Sequence, residues 1–182
     1  QVDYSSIDPK EGTYKGVNYD GIVFCEGVEI RHNPWFNHVP INPTKGETLT
    51  IQSSSITETE SLNRKCFILP IGDGKFRVGA TYVWETYEDE LTEEGKNDLI
   101  EKIRVLTDEP FDVIGHNAGI RPTMLDRRPV LGRHPDYPSL YVYNGLGTKG
   151  YMLAPLLSKE MADFILHETE VDKEVSLGRF SK

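Results

Sequence analysis

Residues 145–150 read GLGTKG, a G-x-G-x-x-G run set between the apolar SLYVYN and the helix-like YMLAPLLSKEMADFIL. Glycines between a strand and a helix let a flat ligand approach the backbone, and the helix N-terminus adds unpaired N–H groups and positive potential. A dinucleotide fingerprint needs more: a second strand after the helix and an acid about 20 residues on to hold the ribose. The helix instead gives way to HETEVDKEVSLGRFSK, with acids but no apolar strand, so the run fails as an ADP-ribose site. No Gly-Lys-Ser/Thr ends it, so it is not a Walker loop. With 16 glycines in 182 residues, a tight turn that merely needs flexible residues is the commoner meaning of such a run.

A second candidate is AGIRPTMLDRRPVLGRHPD (118–136). Arg121 stands between Ile and Pro at a strand exit, where the proline ring stiffens the chain. An Arg held this way suits a bidentate grip on a carboxylate, although a surface or interdomain salt bridge is the usual role of a single Arg. Arg127 and Arg128 read as solvated or paired with acids. No Ser/His/Asp or Cys/His constellation is visible, and no Cys/His cluster has zinc spacing, so no catalytic side chain and no metal ligand is assigned. Cys25 and Cys66 each lie in an apolar strand-like run and read as buried, reduced thiols of a cytoplasmic protein.

The elements that would position these residues emerge from periodicity. YDGIVFCEG (19–27) reads as a buried strand ending at Gly27, and an irregular crossing segment rich in Pro and Asn comes next. ETLTIQS (47–53) alternates as a half-buried strand does, and the polar residues 54–63 read as a loop. KCFILPIGDGKFRVGATYVWE places two β-rich runs around Gly72-Asp73-Gly74, which is hairpin chemistry. The stretch 92–107 reads as a helix with Thr92 as N-cap, acids in its first turn, and Leu99, Ile103 and Leu106 on one face. FDVIGHNAGI is a further strand. It enters a Pro- and Arg-rich loop that runs to the last strand at 139–143, the glycine run and the closing helix. The fold class is α+β. An antiparallel sheet module with a helix, 44–116, sits between two incomplete α/β pieces, 1–43 and 117–182.

The net charge of −9 argues against general affinity for nucleic acid or anionic membranes. There is no run of about 18 apolar residues, so no membrane span is predicted. The start, QVDYSSIDPK, has neither a charged n-region nor an apolar h-region, so no signal peptide is expected. It also lacks an initiator Met, which suggests an excerpt or a processed chain. The last dozen residues, VDKEVSLGRFSK, are mostly polar and are the one stretch expected to be disordered.

Taken in order, these segments resemble the C-terminal part of the D-amino acid oxidase superfamily, with glycine oxidase-like members the nearest in pattern. VFCEG looks like the strand and glycine late in the flavin domain. PTKGETLTI looks like the entry to the substrate domain, and CFILP…GKFRVGATY like its central hairpin. AGIRPTMLDRRPVLGRHP resembles the family's Gly-[IL]-Arg-Pro…Asp…Pro-x-[IL]-Gly segment, and LYVYNGLGTKGYMLAP its final strand, glycine loop and helix start. The likeness runs from about residue 19 to 166 and implies pieces of a Rossmann-like FAD-binding domain flanking the substrate domain.

The resemblance implies an FAD-dependent enzyme that oxidises the C–N bond of an amino acid or amine, with hydride passing to the flavin and no acid/base side chain required. It places Gly27 and the run Gly145, Leu146, Gly147, Thr148, Lys149, Gly150, Tyr151 and Met152 against the cofactor, the late loop facing the flavin ring. It assigns Arg121 to the substrate carboxylate. Phe67 and Tyr82 take positions that line the substrate pocket in relatives, with ordinary sheet packing as the alternative role. Some relatives carry a basic or aromatic residue where Thr148 stands, and glycine oxidases a polar aromatic where Phe67 stands, so the preferred substrate can differ from glycine. Lys149 faces the flavin, the substrate or solvent. The family's own glycine fingerprint lies at its N-terminus and is absent here. The missing N-terminal half is therefore an expected partner, and this segment alone is not expected to retain FAD or be active. The competing reading is a non-catalytic module that binds a small carboxylate or a partner protein.

Overall fold

The computed structural model describes residues 2–180 and divides into two units, one made of the residues up to Pro43 together with those from Arg121 on, the other of Thr44–Ile120. The first unit opens with three two-residue strands, β1 (Ile7–Asp8), β2 (Thr13–Tyr14) and β3 (Val17–Asn18), in an antiparallel meander. Sequence reading does not find them, because pairs of residues are too short to show a period. The strand read in 19–27 is narrower than expected: β4 is Ile22–Phe24. Cys25 lies just past it and is exposed, which corrects the expectation of two buried thiols, while Cys66 is buried. A 3-10 helix (Gly27–His32) and turns lead to the second unit.

There β5 (Thr44–Gln52) is central, with β6 (Leu62–Arg64), β7 (Cys66–Gly72), β8 (Lys75–Gly79), β9 (Val83–Trp84), the helix α1 (Glu93–Arg104) and β10 (Asp112–Arg121). The strand order is β10-β5-β8-β7-β6, and β9 pairs antiparallel with the start of β5. Gly72 pairs with Lys75 across the hairpin, and Asp73 and Gly74 between them have φ of 56° and 68°. Two left-handed residues make a type I′ turn, the one whose twist matches the strands it joins. β6 begins inside the stretch read as loop, because Leu62, Asn63 and Arg64 pair with β7 despite their polarity.

α1 starts where expected. The Thr92 side chain accepts the Gly95 N–H at 3.0 Å, and Glu93 and Glu94 fill the first turn. Leu99 and Ile103, one turn apart, are fully buried against Leu49, Ile51, Ile68, Phe76 and Val78. Each such side chain contributes about 1.5–3 kcal/mol of burial. The helix ends three residues before 107, with Leu106 and Thr107 still bonded to the Ile103 carbonyl.

The chain returns to the first unit with β11 (Val130–Arg133), β12 (Leu140–Asn144) and α2 (Gly150–His167). β11 corrects the reading of 121–138 as loop throughout. It pairs antiparallel with β12, which pairs parallel with β4. Val130, Leu140, Val142 and Phe24 bury one face of this sheet, whereas Leu131 and Tyr141 turn to Leu157 and Met161 of α2. A strand covered on both faces reads as the continuous apolar run LYVYN. The polar tail also departs from expectation. The Leu131 N–H donates to the Val175 carbonyl, and Leu177 is buried with Phe24 and Val130; residues 181 and 182 lie outside the described part. No helix among the described residues is long and apolar enough to cross a membrane.

Candidate functional site

β4 and β12 run parallel, so their C-terminal ends open on the same side. In sheets of this kind, ligands settle in the crevice beyond those ends. Gly27 lies just past β4 and Gly145 directly follows β12, and the structure brings them together: the Asn144 side-chain amide donates to the Gly27 carbonyl at 2.9 Å. Gly145 and Gly147 have φ of 73° and 53°, a left-handed conformation that favours glycine. At Gly145 a Cβ would meet Met124 Cγ at 2.4 Å, whereas at Gly27 it would find nothing nearer than Pro122 Cγ at 3.9 Å. The first glycine is needed for packing, and the other leaves open space.

Gly147, Thr148 and Lys149 form one 3-10 turn that runs into α2, which begins without a capping side chain. Thr148 and Lys149 are exposed, and Tyr151 and Met152 in the first turn of α2 are exposed to 98% and 77%. Beneath the loop, the segment after Arg121 is fastened to it. Gly147 N–H donates to the Pro122 carbonyl at 3.2 Å, and Thr123 bridges to Leu146. The Thr123 hydroxyl is the one buried side-chain polar atom among the described residues with no hydrogen-bond partner. It lies 3.4 Å from where a Cβ on Gly147 would stand. Buried polar atoms are ordinarily paired, so this orphan marks the loop as a place where a polar edge would be accommodated. Two converging glycine loops, an uncapped helix start and an unsatisfied hydroxyl fit a flat, polar-edged cofactor with delocalised negative charge.

Arg121 closes β10 and is half-buried; Arg128 pairs with Glu174 at 3.6 Å. In the second unit, the Phe67 ring lies over Gly79, whose Cβ would meet it at 3.0 Å, beside the Thr48 methyl. Thr48 points away from α1, because the neighbouring Glu47 and Leu49 point towards it. Phe67 therefore sits on the open face of the sheet. Tyr82 is 55% exposed and lines a cavity of about 700 Å³ with Lys45, Glu47, Thr92, Gly95 and Lys102; Phe67 is not part of that wall.

At the floor of the cavity is a network that the sequence reading does not single out. Glu47, only 1% exposed, accepts hydrogen bonds from Thr92 N–H at 3.1 Å, Thr92 Oγ1 at 2.7 Å and His116 Nε2 at 2.7 Å, and pairs with Lys45 Nζ at 3.0 Å. A side chain on Gly95 would put its Cβ 2.7 Å from the carboxylate, so glycine there lets the acid reach the helix start. Burial pushes the Glu47 carboxyl up, but the hydrogen bonds from Thr92, Lys45 and His116 outweigh it and hold the pKa at about 2. The available signal was Lys-x-Glu at strand period, which puts both charges on the face that β5 turns to α1. Among the described residues no group of His, Cys, Asp and Glu is placed to hold a metal ion.

Residues 4–164 match the DAO family, described as FAD dependent oxidoreductase. Over 172 residues the chain is 28% identical to the glycine oxidase of Bacillus licheniformis, covering 88% of this chain and 47% of that protein. Among solved structures, glycine oxidase from Geobacillus kaustophilus superposes with a TM-score of 0.73 at 24% identity, over 88% of this chain and 44% of that one. Iminodiacetate oxidase from Chelativorans sp. BNC1 gives a TM-score of 0.76 at 20% identity, over 88% and 47%. At these identities the structural likeness speaks to the fold. The chain spans less than half the length of each of these relatives.

Proposed function

The chain belongs to the DAO family of FAD-dependent oxidoreductases, and from that membership we propose that it forms part of an enzyme oxidising the C–N bond of an amino acid or a related amine. Residues 1–43 and 117–182 contribute to the FAD-binding domain, and 44–116 form the substrate domain. The observation that carries the reading is the convergence of the Gly27 and Gly145–Gly150 loops beyond the parallel strands β4 and β12. The N-terminal half of the family pattern supplies the nucleotide end of the cofactor site.

When bound, FAD supplies the acceptor for a hydride from the substrate carbon beside nitrogen. This chain's residues do the positioning. Gly145, Leu146, Gly147, Thr148, Lys149 and Gly150 would admit the flavin edge to the backbone, and the start of α2, with Tyr151 and Met152, would offer positive potential to a negatively charged edge. Arg121, stiffened by Pro122, grips a carboxylate and so fixes which hydrogen faces the acceptor. Glycine, the substrate named for the Bacillus licheniformis relative, carries its amine one carbon from such a carboxylate. Phe67, on the open face of the sheet, and Tyr82 shape the substrate's surroundings.

The test compares, in the FAD-loaded full-length protein, substrates with and without the carboxylate. Arg121→Met removes a charge-assisted bidentate contact, so KM for an amino acid rises about 10- to 150-fold, while an amine lacking the carboxylate is handled as before. Equal losses for both classes would contradict the assignment.

A further inference from the structure

We infer that Glu47 is a positioning residue, holding the 81–92 segment so that Tyr82 presents a fixed surface to the substrate. This rests on the reading of Tyr82 as substrate-lining. Both ends of the segment are fastened to Glu47, the near end to its main chain and the far end to its carboxylate. At the near end, Glu47 N–H donates to Thr81 Oγ1 at 2.8 Å, and Thr81 N–H donates back to the Glu47 carbonyl at 3.1 Å. At the far end, the Glu47 carboxylate accepts both the backbone and the hydroxyl of Thr92, and Lys45, paired with Glu47, donates to the Glu90 carbonyl. Between the ends, β9 pairs with β5 at Thr44 and Lys45.

The face that this frame presents is exposed. Tyr82, Val83, Trp84, Tyr87 and Leu91 are each between 40% and 55% accessible, so packing of these side chains into a core does not hold the segment. The ties at its ends and the pairing of β9 with β5 contribute to its shape. Burying a carboxylate, an ammonium and an imidazole together is a costly way to gain stability, since well-packed apolar side chains do as well or better. The arrangement specifies geometry: three charged or polar groups from β5, β10 and the start of α1 meet at one carboxylate, which fixes residue 92 at the far end, while the main chain of the same residue fixes residue 81 where it leaves the sheet. Tyr82 is the next residue.

A double-mutant cycle in the FAD-loaded full-length protein tests this. Glu47→Gln raises KM for the amino acid substrate by about three- to tenfold, with kcat changed less than about twofold. In a Tyr82→Ala background, which itself raises KM, the same change adds nothing, because the residue it positions is gone. Thr81→Val, which removes only the hydroxyl at the near end, behaves likewise and replaces Glu47→Gln in the cycle if that variant does not fold; Thr81→Ser restores the parent KM. If Glu47→Gln or Thr81→Val leaves KM unchanged, or multiplies it equally in both backgrounds, Glu47 is a purely structural acid and the inference fails. If Tyr82→Ala alone leaves KM unchanged, the assignment of Tyr82 falls and this inference with it. Arg121 and the flavin loop would be untouched by that result.

Discussion

Glu47 makes the stability of the sheet unit depend on pH in a calculable way. Lowering its carboxyl from 4.5 to about 2 is worth roughly 3 kcal/mol at neutral pH, at about 1.36 kcal/mol for each tenfold change in proton affinity. The folded form stays ionised where the unfolded chain already takes up the proton. Between pH 4.5 and about 2 the unfolded state therefore binds more protons, and stability is lost as pH falls through that window. About 2 kcal/mol of the contribution is gone by pH 3. Asp3 and Asp126 are also held below the usual carboxylate range, by hydrogen bonds from Ser5 and Ser6 and, against the upward push of burial, from Arg179. Acid sensitivity of the parent chain alone therefore does not isolate Glu47. Glu47→Gln keeps the size of the side chain and removes the titration. Urea unfolding of both proteins at pH 7, 5, 4 and 3, monitored by circular dichroism, supplies the comparison. Near neutrality the variant lies about 3–5 kcal/mol below the parent, because Lys45 loses its buried partner. That gap narrows by about 2 kcal/mol at pH 3. Two curves that fall in parallel would refute the premise that this buried carboxylate is held ionised by its neighbours.

Two further substitutions test the packing that supports each unit. Ile103→Ala empties a fully buried position between α1 and the sheet and costs about 2–5 kcal/mol in urea unfolding; a loss below about 1 kcal/mol would mean that α1 is not seated on the sheet through this side chain. Gly145→Ala forces a Cβ to 2.4 Å from Met124 Cγ at a φ of 73°, so it lowers the melting temperature and weakens FAD binding together. Unchanged stability would show that the turn after β12 has room that its geometry denies.

Local chemistry made some elements legible. Asp73-Gly74 requires left-handed φ at two consecutive residues and so announces a hairpin, and Thr92 with two acids and an apolar repeat after it announces α1. The Arg121 segment and the glycine run stood out by composition, but their fastening to each other through Pro122 and Thr123 is a main-chain contact that no residue type announces. β11 was hidden because Val130–Arg133 lies between prolines in a basic stretch, and four residues do not show a period. The tail looked disordered by composition, yet Leu177 is buried in the core and Val175 is tied to Leu131 through the main chain. The Glu47 network was legible only in part, for a different reason. Lys45 lies two residues away on the same strand face, but the Thr92 and His116 partners lie 45 and 69 residues from Glu47, beyond any local pattern.

The most direct measurement is anaerobic titration of the FAD-loaded full-length protein with a panel of amino acids and amines, monitoring the visible flavin band and the products. C–N oxidation predicts that at least one amine bearing a neighbouring carboxylate bleaches the flavin and yields the corresponding oxo acid and ammonia or amine. A protein that binds FAD but is reduced by none of them would contradict C–N oxidation, and one that binds no FAD at all would contradict the assignment of the glycine loops.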